Sequence, residues 1–220
     1  MSRTRFQTLA TLALVGAAGA VSAASVPGEP TVQSALADHT YCTVCHGTDF
    51  KGNSAIEAPV LAGVEPWYLT EQLKAYRAEQ RGTDPKGDPQ GAEMRTVARE
   101  LTDAQIADIV SYVGKFPAGP RAFSVQGDVA KGRSEYATSC AACHGPQGAG
   151  NQALHAPDLV RLNDWYVVDA YDKYRAGQRG ASATDATAYQ MHQIATAVPA
   201  GFSINDVAAY LNTLPVETKK

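Results

Sequence analysis

All four cysteines of this 220-residue chain fall in two five-residue pieces, Cys42-Thr43-Val44-Cys45-His46 and Cys140-Ala141-Ala142-Cys143-His144. Two thiols at this spacing can close disulfides, bind zinc, carry out thioredoxin-like exchange or form thioethers with the vinyl groups of a c-type haem. The histidine directly after the second cysteine separates these chemistries. A haem attachment uses both thiols on the macrocycle and an imidazole one residue on for the iron, whereas disulfide and zinc chemistry ask for no such residue. Zinc ribbons also space their Cys pairs by about 15–20 residues, and here 94 residues lie between Cys45 and Cys140. Neither motif sits in the βαβ pattern that a thioredoxin-like pair needs. The reading is two covalently bound haem c groups, one through Cys42 and Cys45 and one through Cys140 and Cys143, with His46 and His144 on the irons.

If each motif holds a haem, the chain around it should repeat, and it does. An offset of 98 carries Cys42 to Cys140, Pro59 to Pro157, Trp67-Tyr68 to Trp165-Tyr166, Tyr76 to Tyr174, Arg81-Gly82 to Arg179-Gly180 and Tyr112 to Tyr210. Such self-similarity marks an internal duplication. The join falls in Pro117-Ala118-Gly119-Pro120-Arg121-Ala122, rich in Pro and Gly and without helical periodicity. The expected organisation is an export signal at 1–23, a first haem domain at 24–118 and a second at 119–220.

The elements that position the motifs read as helices. Thr102-Asp103-Ala104-Gln105 is a capping box, and Ile106, Ile109, Val110 and Val113 follow at helical spacing. Ile204, Val207, Ala208 and Leu211 repeat that spacing behind Ser203. Middle helices are expected over 66–79 and 163–176, and helices over 31–41 and 128–139 lead into the motifs. No strand pattern competes, so the fold class is all-α.

Iron held by one histidine needs a sixth ligand. Once Met1 leaves with the export signal, Met94 and Met191 are the two methionines left, 48 and 47 residues after their respective histidines. Their matching places mark both as axial ligands, and a thioether raises the reduction potential. His192, beside Met191, is a competing ligand. His39 and His155 read as surface or rim residues.

The first 23 residues carry Arg3 and Arg5, then an apolar run from Leu9 to Val21, then Val21-Ser22-Ala23, which suits a signal peptidase. The run is shorter than the roughly 20 residues of a membrane span, so the expected mature protein is soluble, exported and periplasmic. Without Arg3 and Arg5, 17 of the 19 basic side chains remain against 22 acidic ones. That balance argues against a nucleic-acid partner. Residues 24–120 hold 8 basic and 13 acidic side chains, and residues 121–220 hold 9 of each, a dipole able to orient the molecule toward redox partners.

With these residues in view, the chain resembles the dihaem cytochromes c of the cytochrome c4 type, two class I cytochrome c domains in tandem. The resemblance rests on the two CxxCHG motifs, Ala58-Pro59-Val60-Leu61 and Ala156-Pro157-Asp158-Leu159, the paired Trp-Tyr and Arg-Gly pieces, and Met94 and Met191. It implies that Pro59 and Pro157 accept hydrogen bonds from the ligand imidazoles. Arg81, Arg179, Trp67 and Trp165 are candidates for contacts to the haem propionates, since a guanidinium can pair two carboxylate oxygens and an indole N–H can donate. The implied function is single-electron transfer between a quinol-oxidising complex or a dehydrogenase and a terminal oxidase. No bond chemistry and no small-molecule substrate are expected. Loose association with a membrane complex stays open, and a dihaem peroxidase, a thiosulfate dehydrogenase type of enzyme or the electron-accepting subunit of a dehydrogenase are the alternatives.

Overall fold

The duplication read from residue types reappears in the backbone. The computed structural model describes residues 39–119 and 121–216; the expected export signal, and most of the helix expected over 31–41, lie outside them. The first repeat holds α1 (Thr40–His46), α2 (Pro66–Arg77), α3 (Pro89–Ala98) and α4 (Asp103–Val113). The second holds α5 (Val129–Ser139), α6 (Ala141–His144), α7 (Asp164–Arg175), α8 (Ala186–Ala197) and α9 (Ile204–Leu211). Among the described residues there is no strand, only the isolated bridges Asn53 to Ala58 and Asn151 to Ala156, themselves 98 apart. The all-α fold is thus observed, and no described helix is long and apolar enough to cross a membrane.

Local chemistry explains most helix ends. Thr102 and Gln105 form the reciprocal capping box of α4, and the Ser203 hydroxyl accepts from the Asp206 N–H at the start of α9. Asp128 accepts from the Ala130 and Lys131 N–H groups and starts α5. Helices α3 and α8 have weak apolar periodicity, and in the sequence only their methionines stand out. They begin at Asp88 and Asp185, whose side chains accept from the Gly91 and Ala188 N–H groups, each at 3.0 Å. A cap of this kind contributes about 1 kcal/mol.

The last helix of each repeat supplies its core. Ile106, Ile109, Val110 and Val113 of α4 pack with Phe50, Tyr76, Ala98 and Leu101. In the second repeat α9 crosses α5 so closely that a Cβ on Gly132 would lie 1.8 Å from the Asp206 carbonyl oxygen; any larger residue would push the helices apart. Tyr136, Leu162, Tyr166, Val207 and Leu211 build that core, and Val64 and Tyr68 of the first repeat join it. The apolar interior therefore runs across the junction between repeats.

Some polar contacts across the junction come in pairs related by the same offset. The Val60 N–H donates to Asn163 Oδ1 at 2.7 Å, and the Asp158 N–H donates to Glu65 Oε2 at 2.9 Å. Others have no counterpart, and the most buried of these is an ion pair. Lys173 of α7 places its ammonium 2.7 Å from Asp88 and 2.8 Å from Asp169, while the residue 98 earlier is Ala75.

Candidate haem-binding sites

Each motif lies at the mouth of an apolar cavity. Cys42 and Cys45 sit on α1, and His46 ends it; the turn that follows returns the chain so that His46 Nδ1 donates to the Pro59 carbonyl at 2.7 Å. The second repeat does the same with His144 and Pro157 at 2.9 Å. A carbonyl can only accept, so Nδ1 carries the proton and Nε2 keeps its lone pair for a metal. Both imidazoles are buried, and burial pushes their pKa below the usual value against the upward pull of the proline carbonyls. Neutral imidazole is the form that binds iron. The four cysteines are free of disulfides. Burial raises the Cys140 thiol to about 12 and moves Cys42 in the same direction.

Met94 on α3 and Met191 on α8 complete the two linings. One cavity brings together Cys42, Cys45, His46, Pro59, Arg81 and Met94. The other brings together Cys140, Cys143, His144, Pro157, Arg179 and Met191. The Arg-Gly turn sets the methionine helix in both repeats, since Gly82 and Gly180, each at φ 73°, approach the Gly91 and Ala188 carbonyls so closely that a Cβ would lie 2.1 Å from either oxygen. His192 points elsewhere, with Nδ1 donating to the Tyr174 carbonyl.

Arg81 and Arg179 meet each other's repeat. Arg81 donates to the Tyr166 hydroxyl at 2.9 Å, and Arg179 to the Tyr68 hydroxyl at 3.4 Å. Gln72 Oε1 accepts from both guanidinium groups, at 2.9 and 2.6 Å. Tyr68, Gln72, Arg81 and Tyr166 line both cavities, so this cluster separates one from the other. Burial alone would raise the Tyr166 phenol, but the two guanidinium charges bring it down to about 8.

These arginines also test whether a haem fits. Both are buried, and Arg81 Nε and Arg179 Nη1 have no hydrogen-bond partner. Among the described residues no carboxylate lies within ion-pair distance of either. Burying a lone guanidinium costs several kcal/mol, and a haem brings two propionates. The donor set and the orphaned cations fit that group. Trp67 and Trp165 line neither cavity. One position along the helix turns the side chain by about 100°, so Tyr68 and Tyr166 face inward while the indoles pack edge-on against them.

Two histidines outside the motifs have definite places. His155 is exposed at the rim and pairs with Glu71 at 2.7 Å. His39, expected at the surface, is buried, stacked 4.1 Å from Tyr112 and 3.0 Å from Asp108. Tyr112 gives it an apolar face that spacing alone does not reveal.

Known proteins share this arrangement. The cytochrome c family model matches residues 34–116 and again 129–215. Cytochrome c4 of Thiocapsa roseopersicina is 31% identical over 171 residues, covering 73% of this chain and 82% of that protein. A thiosulfate dehydrogenase electron acceptor of Thiomonas intermedia (strain K12) is 30% identical over 152 residues, covering 63% and 64%. The solved structure of Acidithiobacillus ferrooxidans cytochrome c4 superposes with a TM-score of 0.63 at 27% identity, covering 80% of this chain and 99% of that one. Two matched domains, two attachment motifs and a relative alike over most of both lengths lead to one conclusion: the chain belongs to the cytochrome c family, as a dihaem electron-transfer protein of the cytochrome c4 type.

Proposed function

We propose that the protein is an exported, periplasmic electron shuttle, not an enzyme, with both irons closed by His/Met pairs: His46 with Met94 and His144 with Met191. The observation that carries this reading is the lining of each cavity, where a buried histidine committed through Nδ1 to a proline carbonyl shares the space with one methionine of its own repeat. The haem, when bound, supplies reversible one-electron chemistry at iron. The chain fixes the imidazoles, excludes water and places two guanidinium groups for the propionates between the two sites. An iron with both axial positions filled offers no place for a substrate.

The proposed domains are 24–118 and 119–220. Ala118 packs against Gly63 of the first repeat. Arg121 donates to the Leu214 carbonyl, and Ser124 and Val125 donate to Asp164, so the chain is fastened to the second repeat immediately beyond the join. The proposed partners are redox proteins: a quinol-oxidising complex or dehydrogenase as donor and a terminal oxidase as acceptor. A relative named as an electron acceptor of thiosulfate dehydrogenase supports the dehydrogenase class.

Carbon monoxide tests this reading. The reduced protein is expected to leave its visible spectrum unchanged under the gas. A carbon monoxide spectrum amounting to one haem per chain would show an open iron and turn the reading toward an enzyme.

A further inference from the structure

The peptide groups that hold the two iron-ligand histidines are tied, at their other ends, to the opposite repeat. In the Pro59–Val60 peptide the carbonyl accepts from His46 Nδ1 at 2.7 Å, and the N–H donates to Asn163 Oδ1 at 2.7 Å. In the Pro157–Asp158 peptide the carbonyl accepts from His144 Nδ1 at 2.9 Å, and the N–H donates to Glu65 Oε2 at 2.9 Å. Each histidine is thus one conjugated peptide away from a side chain of the other repeat. Residues 60 and 158, like 65 and 163, are 98 apart, so the device occurs twice.

Glu65 and Asn163 both stand at the N-cap position of a middle helix, yet neither side chain bonds its own helix. Asparagine is among the best N-caps. Its oxygen is instead held across the junction.

A peptide is one resonant unit, so an acceptor on its N–H draws electron density onto its carbonyl oxygen, and hydrogen bonds in such chains strengthen one another. A stronger carbonyl pulls harder on the Nδ1 proton and makes Nε2 the more basic ligand, which favours ferric iron. The two copies differ in charge: Asn163 offers an amide oxygen, whereas Glu65 offers a carboxylate, and charge-assisted bonds are roughly twice as strong.

We propose that Glu65 and Asn163 are positioning residues that tune the iron ligand of the opposite repeat through the Pro157–Asp158 and Pro59–Val60 peptides. The carboxylate's charge, not bond length, gives His144 the greater imidazolate character, since both links of its relay are 2.9 Å against 2.7 Å in the other. Seating one repeat on the other therefore sets both haem potentials from third-party side chains that touch neither haem ligand. The proposal rests on His46 and His144 as the iron ligands.

The test uses the full dihaem protein, with E65Q and N163D as variants that keep an acceptor oxygen in the same place. Two readouts are taken together: the NMR position and hydrogen exchange of each histidine Nδ1–H in the ferrous protein, and the potential of each haem. E65Q is expected to move the His144 Nδ1–H upfield, speed its exchange and raise the potential of the second haem, with His46 unmoved. N163D is expected to act oppositely, on His46 and the first haem. Each variant should change the electron distribution between the haems about threefold, roughly 30 mV for one electron. Shifted potentials with both Nδ1–H signals unmoved would reduce the effect to charge acting through space and overturn the relay. Unmoved potentials, or a response in the variant's own repeat, would overturn it as well. Wild-type Nδ1–H signals without a haem ring-current shift would strike at the ligand assignment itself, a failure distinct from the others.

Discussion

In the first repeat the aspartate that caps the methionine helix is sealed in, with Asp88 at 1% exposure and bound by Lys173 of the second repeat. In the second repeat Asp185 caps the corresponding helix half-buried, and among the described residues no ammonium or guanidinium group pairs with it. The aromatic filling differs too. Phe50, fully buried at φ 56°, closes the first core from the haem-edge turn, whereas Gly148 stands at the equivalent place and Tyr136 reaches in from α5, its hydroxyl bonded to the Gly145 carbonyl at 2.6 Å. A left-handed phenylalanine costs about 1–2 kcal/mol of backbone strain, which burial of its ring, worth roughly 2–3 kcal/mol, offsets. Duplication has kept the backbone signals that shape a haem pocket while each copy found its own packing. The methionine helix of the first repeat leans on the second, and the reverse dependence is weaker.

The strongest way to break this comparison is to remove the fastening. K173M leaves Asp88 buried without its partner and is expected to cost about 3 kcal/mol. On the proposed His/Met ligation, the far-red Met-to-iron absorption of the first haem should then melt at lower temperature while that of the second holds. Simultaneous loss of both would show that Lys173 merely joins the repeats.

Acid sharpens the comparison from the other side. Asp164 of the second repeat is buried and accepts from Ser124, Val125 and Asn212, where the first repeat has Pro66. Burial alone would raise its pKa, but these bonds win and hold it below the usual carboxylate value. Its folded pKa is thus lower than its unfolded one, so its stabilisation is present above the unfolded value of about 3.9. That stabilisation is lost as pH falls through the folded pKa. D164N should cost about 2 kcal/mol at neutral pH and flatten the acid limb of a stability-against-pH curve. An unchanged acid limb would remove Asp164 from the account.

The smallest effect belongs to the residue the repeats share. Gln72 accepts from Arg81 and Arg179 together, and its counterpart is Ala170. Q72A should lower stability by about 1 kcal/mol and shift both haem potentials in the same direction. A shift confined to one haem would mean that the cluster is not common to both sites.

Much of this was legible before any coordinates. The paired motifs, the offset of 98, the α4 capping box and the helices α2, α5, α7 and α9 follow from residue type and spacing, because each depends on neighbours within a few turns. The helices under Met94 and Met191 are not legible, since Pro89–Ala98 and Ala186–Ala197 have little apolar periodicity and single aspartate caps; α5 shares both features and is marked only by its place directly before the second motif. The cross-repeat partners of Arg81, Asp88, Glu65 and Asn163 lie 85 to 103 residues away, beyond any local pattern. An indole N–H makes Trp67 and Trp165 candidates by residue type, but the helices turn Tyr68 and Tyr166 toward the cavities instead.

The most direct test of the central claim is the far-red Met-sulfur-to-iron band of the ferric protein, measured per haem in wild type and in M94A and M191A. Two closed His/Met sites predict a band that each substitution halves. A band left whole by either substitution would contradict the account at that repeat.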